Sequence, residues 1–456
     1  MYICIVSKRI CMEGLQLNSQ LFKNPNLKIY PIDSNFYSVV NPFISDGLKV
    51  INKKQLDILN YIEDGITVME LAKQTNNDPS IIILLSNILR EKFFISNSRL
   101  FPSPQWNKKS STLNLWIQTT NNCNLRCSYC YIHTLGQDNY LTTNQIETFI
   151  EKTITTAKQE DLKLVQLRFA GGEPFLKLNL WEKAIPKLRE GLDEIGCNLK
   201  VAILSNLVSL NDYYIKFIKN NGIGIGVSLD GLQEFHDATR HFKNGKGSFD
   251  IVNKNILKLK DNGITPCIMS VISNSNIEGL ESFTEYIIKS GLHTRYSIVS
   301  GEEIDINKLI DVLIKCYKIF ESAIEDGYEF SDLHEFCDLK FDRLFFQTCG
   351  DGYNGGALFT NGEIYFCQRH FGVEKPLGNI YEDDNILSII RRKTYYGKVA
   401  KECERCSYKY ICTSGCPIER INGKDPHCEV YKYIIPIIFR LRGKEHLYKI
   451  RMNKTN

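Results

Sequence analysis

The sequence is poor in the features that would place a chain in a membrane, on nucleic acid or outside the cell. Its most apolar late stretch, residues 433–439, is far too short to span a bilayer, and Arg440 and Arg442 close it. The N-terminus has a short apolar run but no basic region ahead of it and no small-residue cleavage site. No secretory signal is expected, and a cytoplasmic location is the default. Charge of one sign is also lacking. The 56 Lys and Arg against 52 Asp and Glu leave a formal +4, too mild for a nucleic-acid footprint. No fixed-period repeat and no low-complexity segment is visible. At 456 residues the chain is too long for one small core, and roughly two to four domains are expected.

What the sequence has in excess is cysteine, sixteen in all. A secreted disulfide protein packs its cysteines into a small domain. Here most fall into two tight clusters with long cysteine-poor segments between, a distribution that favours metal ligation in a reducing compartment. Cys4, Cys11, Cys197, Cys267 and Cys316 stand outside the clusters and read as packing residues.

Residues 1–105 read as a module and its linker. Short strands are expected at 27–31, 36–41 and 48–51, with Asn41-Pro42 and Asp46-Gly47 as turn signals. Helices are expected at 53–64, 67–75 and 79–92, the last opened by Asp78-Pro79. Three strands followed by three short helices resemble a winged helix. From 112 the pattern alternates. Strands are expected at 113–119, 164–170, 199–205, 224–229, 265–272 and 292–299. Each is followed by a helix, at 142–158, 177–194, 211–221, 249–262, 276–290 and 305–324. Six βα units over 106–310 predict an α/β fold, a partial (βα)6 barrel with its chemistry at the C-terminal strand ends. Residues 311–345 read as a helical connector. Residues 346–456, rich in cysteine, glycine and aromatics, read as a fold organised by metal, with a C-terminal tail.

The first cluster, Cys123-x-x-x-Cys127-x-x-Cys130, lies in the loop after the first barrel strand. Three thiolates hold a cubane only by leaving its fourth iron without a protein ligand, and an open iron is where a small molecule chelates. With Tyr129 before its last cysteine, this spacing resembles the signature of the radical S-adenosylmethionine (SAM) superfamily. That resemblance implies a [4Fe–4S] cluster whose open iron binds the amino and carboxylate groups of SAM. Gly171-Gly172-Glu173-Pro174 resembles the family's GGEP motif: the glycines let backbone approach the ligand, and Glu173 suits an ammonium. Ser205-Asn206 resembles the pair facing ribose and carboxylate, although Leu207 stands where glycine is common. Asp230 and Arg240 resemble the fourth-strand segment of the peptide-modifying branch, with Arg240 a partner for the SAM carboxylate.

The second set comprises Cys349, Cys367, Cys403, Cys406, Cys412, Cys416 and Cys428. CxxC pairs suit tetrahedral zinc as well as iron–sulfur edges. Beside the first motif, the order resembles the SPASM extension, which implies two auxiliary [4Fe–4S] clusters and three in all. Cys349, Cys367 and Cys416 would ligate one, and Cys403, Cys406, Cys412 and Cys428 the other. The former lacks a fourth ligand. Cys337 is one candidate, and an open iron able to accept a substrate thiolate is the alternative.

The front module resembles the leader-recognition element of ribosomal peptide biosynthesis, which implies β-augmentation by a precursor peptide at an edge within 28–50 against helix 79–92. A DNA-binding winged helix is disfavoured, because that helix lacks the basic residues for phosphate contact. The expectation is a radical SAM peptide maturase installing a thioether or carbon–carbon crosslink, reduced by a donor such as flavodoxin or ferredoxin, with no nucleic-acid or membrane partner. Anaerobic sulfatase maturases, which oxidise Cys or Ser to formylglycine, are the alternative. They share the core but place an aspartate where Gln368 follows Cys367 here. A non-catalytic peptide-binding scaffold is the alternative from another class.

Overall fold

The computed structural model describes residues 14–62, 64–101, 110–136, 139–336, 339–341, 347–383, 385–393 and 398–453. Strand β1 (Gln20–Lys23) is followed by an antiparallel meander of β2 (Lys28–Pro31), β3 (Phe36–Val40) and β4 (Leu48–Asn52). The meander ends where Asn52 caps α1 (Lys53–Tyr61). Its side chain accepts from the Gln55 backbone, and the Gln55 side chain accepts from the Asn52 backbone, fixing the strand-to-helix turn. β5 (Asp64–Thr67) pairs with β1, and Thr67 with Glu70 forms the same reciprocal cap on α2 (Val68–Thr75). Asp78 caps α3 (Pro79–Arg90), with proline in the first turn, where its missing N–H costs nothing. β6 (Ile95–Ser96) completes a small sheet of order β5-β1-β6. This module has its own core, including Leu21, Val39, Leu59, Leu71, Ile82 and Phe94.

Six βα units follow: β7 (Thr112–Thr120), α4 (Thr143–Gln159), β8 (Leu164–Gly171), α5 (Ala184–Asp193), β9 (Asn198–Ser205), α6 (Asp212–Asn220), β10 (Gly224–Ser228), α7 (Gln233–Thr239), α8 (Phe249–Asp261), β11 (Cys267–Ile272), α9 (Leu280–Ser290), β12 (His293–Ile298) and α10 (Ile306–Glu325). α11 (Phe330–Leu333) then leads into β13 (His334–Phe336), so the expected helical connector contributes a strand to the sheet. β7 to β13 run parallel and lie in chain order. Cys337 lies outside the described residues, as do Cys4, Cys11 and residues 102–109, around the expected end of the linker.

Two features depart from the sequence-based expectation. β14 (Gly355–Leu358) pairs parallel with β7 on its free side, and β15 (Glu363–Tyr365) and β16 (Gly378–Asn379) extend the sheet antiparallel to ten strands. Leu358 and Ile364, with Leu387 and Ile390 of α12 (Ile386–Ile390), belong to the main core, so apolar packing organises this region alongside its cysteines. After the short α13 (Lys401–Glu404), the expected tail is α14 (Cys428–Asn453), a 26-residue helix with Pro436 inside it.

α14 joins the helices around the large sheet to the front module. Arg440 grips Glu321 of α10 through both guanidinium nitrogens, 2.6 Å each. On its other side Ser38 Oγ donates to the Phe439 carbonyl at 2.9 Å, and Tyr30 stacks on Phe439. The front module is therefore packed into the molecule.

Candidate active site

The first cysteine cluster, the glycine-rich segment and the two polar pairs come from separate loops, and parallel strands bring all of them to one end of the sheet. Cys123, Cys127 and Cys130 lie between β7 and α4, and Gly171 ends β8. Ser205 ends β9, Asp230 follows β10, and Arg240 follows α7. This is the C-terminal end, where parallel sheets place their chemistry.

The glycines have a sharper reason than ligand access. Gly171 sits at φ +130°, and a Cβ on Gly172 would lie 2.1 Å from the Asn122 carbonyl oxygen. Their absent side chains let the segment dock on the cysteine loop, with Gly172 N–H donating to Thr120 O at 2.7 Å and Glu173 N–H to Asn122 O at 2.8 Å.

Glu173 is fully buried. Oε1 accepts from Ser205 Oγ (2.7 Å) and Phe175 N–H (3.1 Å), and Oε2 accepts from Asn206 N–H (2.8 Å). Burial pushes its carboxyl up to about 7 against the pull of these donors. A carboxylate so placed is short of positive charge, which suits an incoming ammonium. Leu207 adopts φ +61°, which explains why glycine is common at this position. The turn is held by Leu207 N–H donating to Ser205 Oγ at 2.8 Å and by Asn255 Nδ2 donating to the Leu207 carbonyl at 2.9 Å.

Asp230 and Arg240 pair with each other. Arg240 Nε meets Asp230 Oδ2 at 2.6 Å, where Tyr129 OH also donates at 2.5 Å. Burial opposes the Asp230 charge, yet the Arg240 guanidinium and its other partners hold its pKa below the usual value. The guanidinium stacks 5.3 Å from the centre of the Tyr129 ring and turns Nη1 to within 3.9 Å of Cys127 Sγ. His236 supports the group from behind. Its Nδ1 accepts the Asp230 N–H, leaving the proton on Nε2 for Ser248 Oγ, which in turn donates to the Arg240 carbonyl. Burial lowers this imidazole to about 4, so it is neutral.

Cys123, Cys127 and Cys130 are half-buried and form no disulfide. Leu125 N–H (3.4 Å) and Asn206 Nδ2 (3.6 Å) point at Cys123 Sγ. Soft sulfurs with N–H groups and a guanidinium turned toward them fit an iron–sulfur cluster. No three His, Cys, Asp or Glu groups among the described residues converge on a single ion, whereas a cubane takes its thiolates at separate corners.

Within the second set, two runs of electrostatic neighbours appear, and the Arg420 guanidinium neighbours members of both. Cys349 lies within electrostatic reach of Cys367, and Cys367 of Cys416. Cys412 lies within reach of Cys406 and Cys428, and Cys428 of Cys403. Between Cys412 and Cys416 the backbone runs through three left-handed residues, Thr413, Ser414 and Gly415, whose carbonyls are gathered by the Arg420 guanidinium.

Three further residues carry weight here. Asn124 bridges Asn206 Nδ2 (2.8 Å) and Ser209 Oγ (3.0 Å). Tyr131 feels both Cys130 and Cys367 and donates to the Gln368 carbonyl at 3.3 Å, linking the two cysteine regions. Asp351 contacts the thiols of Cys349 and Cys367. Tyr131 and Asn124 had a sequence signal, their positions beside Cys130 and Cys123.

Residues 117–287 match the model of the radical SAM superfamily. Among curated relatives, a serine-type anaerobic sulfatase-maturating enzyme of Bacteroides thetaiotaomicron is 25% identical over 66% of this chain and 81% of its own. The antilisterial bacteriocin subtilosin biosynthesis protein AlbA of Bacillus subtilis is 25% identical over 76% and 75%. Among solved structures, native anSMEcpe with bound AdoMet and Cp18Cys peptide superposes with a TM-score of 0.62 at 18% identity, covering 74% of this chain and 99% of that one. Streptococcus suis SuiB bound to precursor peptide SuiA gives 0.53 at 15%, covering 90% and 100%.

Proposed function

We propose that this radical SAM superfamily enzyme, whose family domain spans residues 117–287, is a peptide maturase that installs a thioether or carbon–carbon crosslink in a ribosomally made precursor. When bound, SAM and a [4Fe–4S] cluster would supply radical hydrogen-abstraction chemistry at an unactivated carbon. Cys123, Cys127 and Cys130 would hold that cluster. Glu173 would take the SAM ammonium, with Gly171, Gly172, Ser205 and Asn206 shaping the same pocket. Asp230 and Arg240 fix Tyr129 and set the charge beside Cys127. Cys349, Cys367 and Cys416, and separately Cys403, Cys406, Cys412 and Cys428, would hold two auxiliary clusters. A flavodoxin- or ferredoxin-type donor would supply the electron.

One observation carries the peptide reading. β4 ends its sheet, and α3 lies beside it, with Lys49 Nζ reaching the Ile88 carbonyl at 3.4 Å. α3 buries Ile82 and Leu89 yet leaves Ile81 and Leu84 exposed at 45% and 61%. An apolar helix face beside a strand edge left unpaired among the described residues suits an extended leader peptide. AlbA, named for bacteriocin biosynthesis, and SuiB, solved with a precursor peptide, fit this reading.

The sulfatase-maturase reading is favoured by the identity to the Bacteroides enzyme and by the anSMEcpe superposition. Gln368 after Cys367 and the front module count against it. The test is Ile81→Asp with Leu84→Asp in the full-length reconstituted enzyme. Each buried apolar side chain contributes about 1.5–3 kcal/mol, so the affinity for a labelled precursor encoded beside the gene should fall at least about tenfold. Peptide-free formation of 5′-deoxyadenosine should persist. Unchanged precursor affinity would remove the leader-docking reading.

A further inference from the structure

Resting on the auxiliary-cluster reading, we propose that Asp351 is the fourth protein ligand of the cluster held by Cys349, Cys367 and Cys416. The Asp351 carboxylate contacts the thiols of Cys349 and Cys367, and Cys367 in turn neighbours Cys416. It therefore stands beside two of the three sulfurs, one of which neighbours the third, where a fourth ligand is wanted.

The surrounding loop is built to hold it there. Gln347 Nε2 donates to the Asp351 carbonyl at 3.0 Å and to Cys349 Sγ at 3.6 Å, tying the two residues together. Gly350 O accepts from Asn354 and Gly355 N–H, and Gly352 turns at φ +76°. A Cβ on Gly355 would press on Asp351 Oδ1 at 3.0 Å, so the glycine leaves the space this carboxylate needs. Arg168 supplies compensating positive charge.

A carboxylate carries the same single negative charge as a thiolate, so the cluster keeps its usual charge. Its oxygen is a harder ligand and binds iron of such a cluster less firmly than sulfur does. A substrate thiolate can displace it by exchange, with no change in oxidation state: the thiolate–iron bond forms as the carboxylate–iron bond breaks.

The test compares anaerobically reconstituted full-length wild type, Asp351→Ala, Asp351→Cys and Cys337→Ala by iron content, electron paramagnetic resonance and Mössbauer spectroscopy. Wild type is expected to hold about twelve iron in three cubanes, one of them with an oxygen-ligated iron. Asp351→Cys should retain the iron and convert that site to an all-sulfur signal. Asp351→Ala should shift the signal of the same cluster or lose up to about four iron. Cys337→Ala should match wild type. An unchanged spectrum in both Asp351 variants, or a shift confined to Cys337→Ala, overturns the ligand assignment alone. Wild type holding only about four iron overturns the auxiliary-cluster reading and this assignment with it.

Discussion

On the proposed function, SAM binding turns on Glu173, and its burial gives it a pH signature. Its pKa of about 7 in the fold lies above its ordinary 4.5, so the folded chain binds the extra proton. Stability is full below the ordinary value and falls as pH rises toward 7. A bound ammonium acts in the opposite sense, because it selects the carboxylate. SAM affinity of the reconstituted enzyme should therefore be full above pH about 7 and fall by up to about tenfold per unit below it. Glu173→Gln places an amide NH2 among the N–H and O–H donors of Phe175, Ser205 and Asn206. Isothermal titration should show at least about tenfold weaker SAM binding with no pH slope through that range. Equal affinity in the glutamine variant would remove Glu173 from the SAM site. Such residues stand out in the sequence as candidates because their motifs are local. Cys123, Cys127, Cys130 and Glu173 stand within short, distinctive strings, and the Leu207 departure marked a position that needs φ > 0. Asp351 was not legible, because one aspartate two residues past a cysteine gains meaning only when a distant loop brings Cys367 to it.

At the scale of elements, alternation served well. Most strands and helices of the six βα units fall within a few residues of their expected places, as do β2 to β4 and α1 to α3, because each is a run of periodic apolar residues with a cap or turn at its end; α5 starts seven residues later than expected, and α7 was not expected. α14 escaped for a physical reason. Pro436 interrupts its pattern, and its buried residues face both α10 and the front sheet, so no single apolar stripe appears. The contact with the front sheet depends on Gly443, where a Cβ would lie 2.6 Å from Ser38 Cβ. Gly443→Leu should overpack this seam at a cost of about 1–3 kcal/mol. Calorimetry should show a lower melting temperature, and limited proteolysis should cut faster near residue 100. An unchanged melting temperature would mean that the seam adds nothing to stability.

For the molecule as a whole, the contacts that matter most are the longest in sequence, and no local pattern reports them. Tyr30 OH meets Tyr408 OH at 2.9 Å, and Phe43 packs edge-on against Tyr410, so the front module touches the loop between Cys406 and Cys412. A peptide held on that module would lie on a body continuous with the second cysteine set, while the sheet's C-terminal end carries the proposed SAM residues. The peptide-maturase reading requires both parts on one substrate. Its most direct test is high-resolution mass spectrometry of the precursor encoded beside the gene, after anaerobic incubation with reconstituted enzyme, SAM and reductant. A leaderless core and a Cys- or Ser-bearing sulfatase-type peptide run in parallel. Hydrogen loss and a crosslink are expected in the full-length precursor, much less in the leaderless core, with no formylglycine in the sulfatase-type peptide. Formylglycine in that peptide, with the precursor untouched, would contradict a peptide-crosslinking enzyme.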